Sequence, residues 1–243
     1  CSSWADERIT DIIPEDLGMP APQRRYEAVR AGYGERMPWQ PIRIRGDLVA
    51  HWEFDATDKG FLPDSSINGC HLKVEKISLA PGRKGQALLC GKGNASTEAP
   101  LAFFHPGGIS ITLWCNPSEP DQGDRWLINT AGTTSGYRIG LTSGKVVWQI
   151  PREPWSHSLI ASQPLPLDQW THVAATFDNQ TMRLYLNGKE VANRERQGFI
   201  TAGSNFFVGS FDARERHAFQ GLLDDVRVYR RVLNADEIAK LAQ

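Results

Sequence analysis

Oxygen donors gather in two places along this chain. The loop "DATDKGFLPDSSINGC" carries Asp55, Asp58, Asp64 and Asn68. Much later, "GLLDDVRVY" carries Asp224 and Asp225 inside a run that otherwise reads as a strand, although Asp is depleted in strands. By period two, Leu222, Asp224, Val226 and Val228 share one face; Leu223, Asp225, Arg227 and Tyr229 share the other. If the valines face a core, Asp224 starts their row at its rim. A carboxylate there must find donors, a cation or a metal. Asp225 then faces solvent or pairs with an Arg. Mixed carboxylates and carbonyls suit calcium, which takes about six to eight oxygens. The same residues also read as turn formers, with Asp224 capping a backbone N–H. The spacing is not that of an EF-hand.

A second chemistry is stacking. The loop "IPREPWSHS" holds Arg152, Trp155 and His157, and "SFDARERH" holds Phe211, Asp212, Arg214 and Arg216. An aromatic ring beside polar groups suits the apolar face of a sugar and its hydroxyls. Trp155 equally reads as packing on a neighbouring loop. No Gly-x-Ser-x-Gly, phosphate loop or paired-histidine motif is present. The six histidines are dispersed. His51 and His172, each beside a strand Trp in "HWEF" and "WTHV", read as structural.

There are four cysteines, Cys1, Cys70, Cys90 and Cys115, without a Cys-x-x-Cys pair, which argues against zinc. The opening Cys-Ser-Ser resembles a mature bacterial lipoprotein acylated on Cys1. It reads equally as an arbitrary starting point. The lipoprotein reading implies an envelope or secreted location where disulfides persist. Cys70 and Cys90, which flank a short two-strand stretch, are then the pair chosen for a bridge. The net charge of −1 gives no bulk field for nucleic acid or an anionic membrane. No segment approaches the roughly 20 apolar residues that span a bilayer, so any membrane contact would run through a lipid on Cys1.

These residues must be positioned by strands. Residues 1–46 carry scattered Pro and mixed charge and read as an extended arm or linker, with a short helix in "PQRRYEAVRAGY". Residues 47–243 read as one domain of short alternating runs broken by turns. "LVAHWEFD", "HLKVEKISL", "GQALLCG" and "GISITLWCNP" are the first strands. "RWLINTAG", "YRIGLTSG" and "KVVWQIP" form a meander with a tight turn at Ser143-Gly144. "QWTHVAATFD", "MRLYLNG" and "KEVANRER" form another, and Asn187-Gly188 predicts a type I′ hairpin. "FFVGSF" and "GLLDDVRVYRR" complete the sheets. In "NADEIAKLAQ", Asn234 with Glu237 three residues on predicts a capped terminal helix.

Taken in order, "LVAHWEFD", "DSSINGCHL", "GQALLCG", "ISITLWCNP", "DQWTHVAATFDNQTMRLYLNGKEVA" and "FQGLLDDVRVYRRVLNADEIAKL" resemble the concanavalin A-like, laminin-G-type family. The resemblance implies an all-β fold, a two-sheet antiparallel jelly-roll sandwich. It implies a structural calcium joining the early loop to the last strand, held by Asp64, Asn68 and Asp224 with Asp55 beside them. It assigns Trp52, Trp114 and Trp170 to core positions. Period two does the same for Trp148, with Val146 and Ile150. Cys90 and Cys115 stand where the family has bulky apolar residues.

Hydrolases of this fold carry a Glu-x-Asp-x-x-Glu run, which is absent here. Asp121, Asp124, Glu153 and Asp168 fall in apparent loops. The reading is therefore a non-catalytic binding domain for a glycan or a protein, with the Arg152, Trp155, His157 and Arg214 loops as ligand contacts. In the protein-assembly version, Trp4, Tyr26, Tyr33 and Trp39 of the arm dock on a partner. The alternatives are a carbohydrate-binding module of a polysaccharide-processing system and a glycoside hydrolase-like enzyme.

Overall fold

Alternation of apolar and polar residues builds the central strands. In β7 (Ile109–Pro117), Ile109, Ile111, Leu113 and Cys115 enter the main core, while Ser110, Thr112 and Trp114 point away from it. In β12 (Thr171–Phe177), Val173, Ala175 and Phe177 enter the core, while His172 and Ala174 do not. The two strands pair antiparallel along all of β12 and residues 109–115 of β7. The computed structural model describes residues 44–97, 107–120, 123–130, 135–151, 158–200, 205–212 and 217–243. They lie within one unit, Ile42–Gln243. Cys1 and the predicted arm, apart from residues 44–46, lie outside the described residues, as do Arg152, Trp155, His157, Arg214 and Arg216.

Sixteen strands and one helix are present among the described residues. Sheet 1 contains β1 (Leu48–Trp52), β4 (Ser78–Pro81), β5 (Gln86–Cys90), β7, β12, β13 (Thr181–Leu186), β14 (Lys189–Glu195) and β16 (Gly221–Tyr229). Its order is β14-β13-β12-β7-β16-β5-β4, with β1 also on β16. Sheet 2 contains β2 (Phe61–Leu62), β3 (Leu72–Glu75), β6 (Asn94–Ser96), β8 (Asp124–Asn129), β9 (Arg138–Thr142), β10 (Lys145–Gln149), β11 (Ser158–Pro164) and β15 (Phe207–Val208). Its order is β11-β10-β9-β8-β15-β6-β3-β2. Two antiparallel sheets enclosing one apolar layer make the expected jelly-roll sandwich.

Trp52 and Trp148 are fully buried in that layer. Trp52 stacks at 5.1 Å on Phe206, and its indole N–H donates to the Cys70 carbonyl at 2.8 Å. An indole in a core needs such an acceptor. The turn between β13 and β14 has φ of 46° at Asn187 and 80° at Gly188, the pair of positive values that a type I′ turn requires. The helix α1 (Ala235–Leu241) starts with both halves of its capping box formed. Arg231 grips Glu237 through two bonds of 2.8 and 2.6 Å and helps hold that carboxyl at about 2. Ile238 of α1 packs with Leu233, Tyr185 and Ala174, so the helix covers part of sheet 1's outer face.

Several expectations are corrected. "HLKVEKISL" is two strands in different sheets, because Lys76 has φ 54° and the chain crosses there from sheet 2 to sheet 1. Asp124 opens β8 rather than lying in a loop. Trp170 is half-buried and outside both apolar clusters. The Cys70–Cys90 bridge is absent: both thiols are free, as is Cys115. The Cys70 sulfur turns to the Val49 carbonyl, while the Cys90 sulfur lies beside Gly209 and Leu88. Burial pushes the Cys70 and Cys115 thiols up to about 12, so neither is a thiolate at neutral pH. No helix among the described residues is long and apolar enough to cross a membrane.

Candidate binding faces

The proposed calcium quartet does not converge. Asp64 Oδ1 accepts from the backbone N–H of His51 and Ser66, both at 2.8 Å. Its Oδ2 accepts from the Ser66 hydroxyl at 2.7 Å and the Cys70 N–H at 2.8 Å. Asn68 donates to the Leu48 and Val49 carbonyls and accepts from the Arg45 N–H. These two residues clip the early turn to β1. Asp55 and Asp224 serve a different turn, between β4 and β5. Asp55 accepts from the Gln86 N–H at 2.8 Å, and Asp224 from the N–H of Arg83 at 2.9 Å and Lys84 at 3.3 Å. No three His, Cys, Asp or Glu groups come together to hold a metal among the described residues. The residues do not fit a calcium joining the loop to the last strand, because Asp64 and Asn68 are engaged at one turn and Asp55 and Asp224 at another, and both Asp64 oxygens already accept two bonds each.

The two aspartates in "GLLDDVRVY" owe their place to a β-bulge. Asp225 has φ 49°, and the register of β16 against β7 shifts between Asp224 and Arg227. The extra residue brings Leu223 onto the same side as Val226 and Val228, and all three enter the core. Asp224 does not share the valines' face. It pairs with Trp114, which pairs with His172, so one row crosses three strands on sheet 1's outer face. The bulge sits where β16 changes partner, from β5 at residues 221–223 to β1 at residues 226–229.

Around this row lies a cavity of about 260 Å³. Its lining interleaves the acids Glu53, Asp55, Asp224 and Asp225 with the bases Arg83, Lys84 and Arg227. Trp114 forms the floor, 7% exposed, with the Arg83 guanidinium 3.9 Å from its ring centre and the His172 ring edge-on at 5.2 Å. Trp114 thus belongs to the outer face and not to the core. His51 Nε2 contacts Asp225 Oδ1 at 2.6 Å, and Arg227 Nη2 reaches the same oxygen at 2.9 Å. Burial alone would raise the Asp225 carboxyl, but the His51 bond and the Arg227 charge outweigh it and hold it below the usual range. Burial raises Asp224. It also pushes His172 down to about 4, so that ring is neutral at pH 7.

Sheet 2 carries a different outer face. Asn129, Arg138, Gln149 and Ser158 form one row across β8, β9, β10 and β11. Arg138 Nε donates to Gln149 Oε1 at 2.6 Å, and Gln149 Nε2 donates to the Ser158 hydroxyl at 2.8 Å. The Arg138 guanidinium lies 4.5 Å from the centre of the Trp126 ring and 6.0 Å from that of Phe211. Asn129 Nδ2 donates to the Phe211 carbonyl at 2.6 Å.

Among the residues singled out from sequence, Asp55 and Asp224 reach the cavity, while Asp64 and Asn68 do not line it. The ligand contacts Arg152, Trp155, His157 and Arg214 fall outside the described residues. Trp114, Arg83, Arg227, Trp126 and Arg138 were missed. Period two did carry a signal: in "ISITLWCNP" it groups Trp114 with Ser110 and Thr112 rather than with the isoleucines.

Residues 91–239 match the family model described as the concanavalin A-like lectin/glucanases superfamily. The chain is 22% identical over 177 residues to botulinum neurotoxin type X of Clostridium botulinum, covering 68% of this chain and 14% of the toxin. It thus spans only a small part of that relative's length. In fold it is similar to domain 4 of AbnA, a GH43 extracellular arabinanase from Geobacillus stearothermophilus solved with arabinotriose. There the TM-score is 0.64 at 24% identity, covering 81% of this chain and 98% of that one. It is likewise similar to the binding domain of Paraclostridial Mosquitocidal Protein 1, with a TM-score of 0.66 at 20% identity, covering 81% and 52%. With more than half its length in the family match and both sheets of the sandwich in place, the chain belongs to the concanavalin A-like lectin/glucanases superfamily.

Proposed function

We propose that this domain is a non-catalytic glycan-binding module that works outside the cell, and that the cavity beside Trp114 receives a sugar unit. The observation that carries the reading is the composition of that cavity. About 260 Å³ is lined by four carboxylates together with Arg and Lys groups. That volume lies just below the usual range of ligand pockets, about 300–1,000 Å³, and suits a single sugar ring rather than a longer chain. Each sugar hydroxyl both donates and accepts, and the lining offers both kinds of partner.

Binding is favoured over hydrolysis by what the acids already do. Glycoside hydrolysis needs two carboxyl groups committed to the scissile bond. Asp224 holds two turn N–H groups, and Asp225 holds His51 and Arg227. The arabinotriose bound by AbnA domain 4, and that enzyme's extracellular description, support a glycan ligand and an outside location.

Calorimetric titration with neutral oligosaccharides, arabinotriose first, tests this. Binding is expected in the unaltered protein and is weakened about tenfold by Glu53→Gln, which removes one acceptor at a half-buried position. Absence of binding to any neutral oligosaccharide at millimolar concentration would overturn the proposal.

A further inference from the structure

We infer that Arg138 anchors a second, separate subsite on sheet 2, for an oxyanion carried by a sugar: the carboxylate of a uronic acid or a sulfate ester. This goes beyond the Trp114 cavity, since it lies on the other sheet and shares no residue with it.

Three features single out this arginine. The first is its fixed pose. Its Nε is held by Gln149, whose own amide is oriented by Ser158, and its face rests on Trp126 with Phe211 beyond. Gly140 makes that platform possible: a Cβ there would stand 2.5 Å from Trp126 Cε3, so only glycine lets the indole lie across β9. A guanidinium already held in one pose loses little conformational freedom when it binds a ligand.

The second feature is the missing counter-charge. Three arginines of the fold meet carboxylates: Arg227 meets Asp225, Arg231 meets Glu237, and Arg183 meets Asp178; Arg125 and Arg194 donate to backbone carbonyls. Among the described residues, no carboxylate lies within ion-pair distance of Arg138. Its immediate neighbours in the row are the neutral Asn129, Gln149 and Ser158. Burial pulls its pKa down, with only Asp124 opposing from a distance. A half-buried cation without a partner is a cost that an anionic ligand would remove.

The third feature is geometry. The protein contacts use Nε and the flat face of the group, and neither Nη donates to an acceptor among the described residues. The two Nη nitrogens form the edge of a planar fork that matches a carboxylate or sulfate oxygen pair.

The test uses the full chain and thermal-shift titration at constant ionic strength. The probes are sodium glucuronate, sodium sulfate, methyl glucoside and sodium chloride. Glucuronate or sulfate is expected to raise Tm above the chloride control, while methyl glucoside leaves it unchanged. A larger response to glucuronate assigns the carboxylate, and a larger response to sulfate assigns the ester. Arg138→Lys, which keeps the charge but loses the fork and the stack, is expected to weaken the anion about tenfold or more. Gln149→Leu, which releases Nε, gives an intermediate loss if the pose matters. Glu53→Gln in the other cavity leaves the anion response intact. An anion response no greater than chloride, or one unchanged in both Arg138→Lys and Gln149→Leu, would overturn the inference.

Discussion

Both outer faces of the sandwich set an arginine on a tryptophan, in opposite electrical surroundings. On sheet 1, Arg83 lies 3.9 Å from Trp114 in a cavity walled by Glu53, Asp55, Asp224 and Asp225. On sheet 2, Arg138 lies 4.5 Å from Trp126 in a row of neutral amides and a hydroxyl. The same local pair sits among carboxylates in one place and, among the described residues, has none within ion-pair distance in the other. The stacking geometry alone therefore does not decide what a face recognises. The neighbours do, by fixing whether a ligand must bring hydroxyls or a negative charge.

Four experiments bear on this contrast. The largest effect is expected on sheet 1 in acid. The folded state keeps His172 neutral down to about pH 4, whereas an unfolded histidine takes a proton near pH 6.5. Between those values the unfolded chain binds more protons, so stability falls as pH falls. The loss reaches about 3 kcal/mol at pH 4. Asp224, whose carboxyl is raised, acts with the opposite sign, so the informative quantity is the difference between variants. Thermal melts from pH 7 to 4 should be flatter for His172→Gln than for the unaltered protein. Parallel curves would show that this ring is not the responsible group.

Next, Gly140→Ala strikes sheet 2. The added methyl meets Trp126 and the Arg125 carbonyl, and the overpacking should cost about 1–3 kcal/mol in denaturant melts. It should also blunt the response to glucuronate, because the indole can no longer lie beneath Arg138. An alanine variant of full stability would contradict the close approach.

Asp225→Asn then makes sheet 1 imitate sheet 2. It removes the carboxylate shared by His51 and Arg227 and should cost about 1–2 kcal/mol. Arg227 is left without its counter-charge, so the variant should gain a Tm response to sulfate beyond the unaltered protein's. No gain would mean that charge balance does not govern selectivity. The smallest effect is expected from calcium. Exhaustive chelation should leave Tm in place, because Asp64 and Asn68 serve one turn and Asp55 and Asp224 another, so the four do not converge on an ion. A clear rise in Tm with calcium would instead reveal a site those donors do not preclude.

The architecture was largely legible in the sequence, for local reasons. Asn187-Gly188 encodes its own turn, Asn234 and Glu237 encode their own cap, and alternation within β7 and β12 encodes two faces. The sites were less legible because they depend on partners remote in the chain. Period two placed Asp224 with the valines; the bulge at Asp225 reversed that, and it arises where β16 passes from β5 to β1. Its trace in the sequence was the pair of aspartates itself, residues that strands otherwise avoid. Trp114 was assigned to the core by family likeness when its own alternation with Ser110 and Thr112 pointed outward. Arg138 was not singled out in the sequence, where it is one polar residue of the "YRIGLTSG" strand. Its pose on Trp126 depends on β8 pairing with β9 and on the space left by Gly140.

The central claim is that the Trp114 cavity holds a sugar. The direct measurement is the indole N–H resonance of Trp114, assigned with Trp114→Phe and followed in NMR spectra during titration with arabinotriose and other neutral oligosaccharides. A saturable shift of that resonance, weakened in Glu53→Gln, is the predicted result. Saturable binding that leaves the Trp114 indole unmoved while other signals shift would contradict the account.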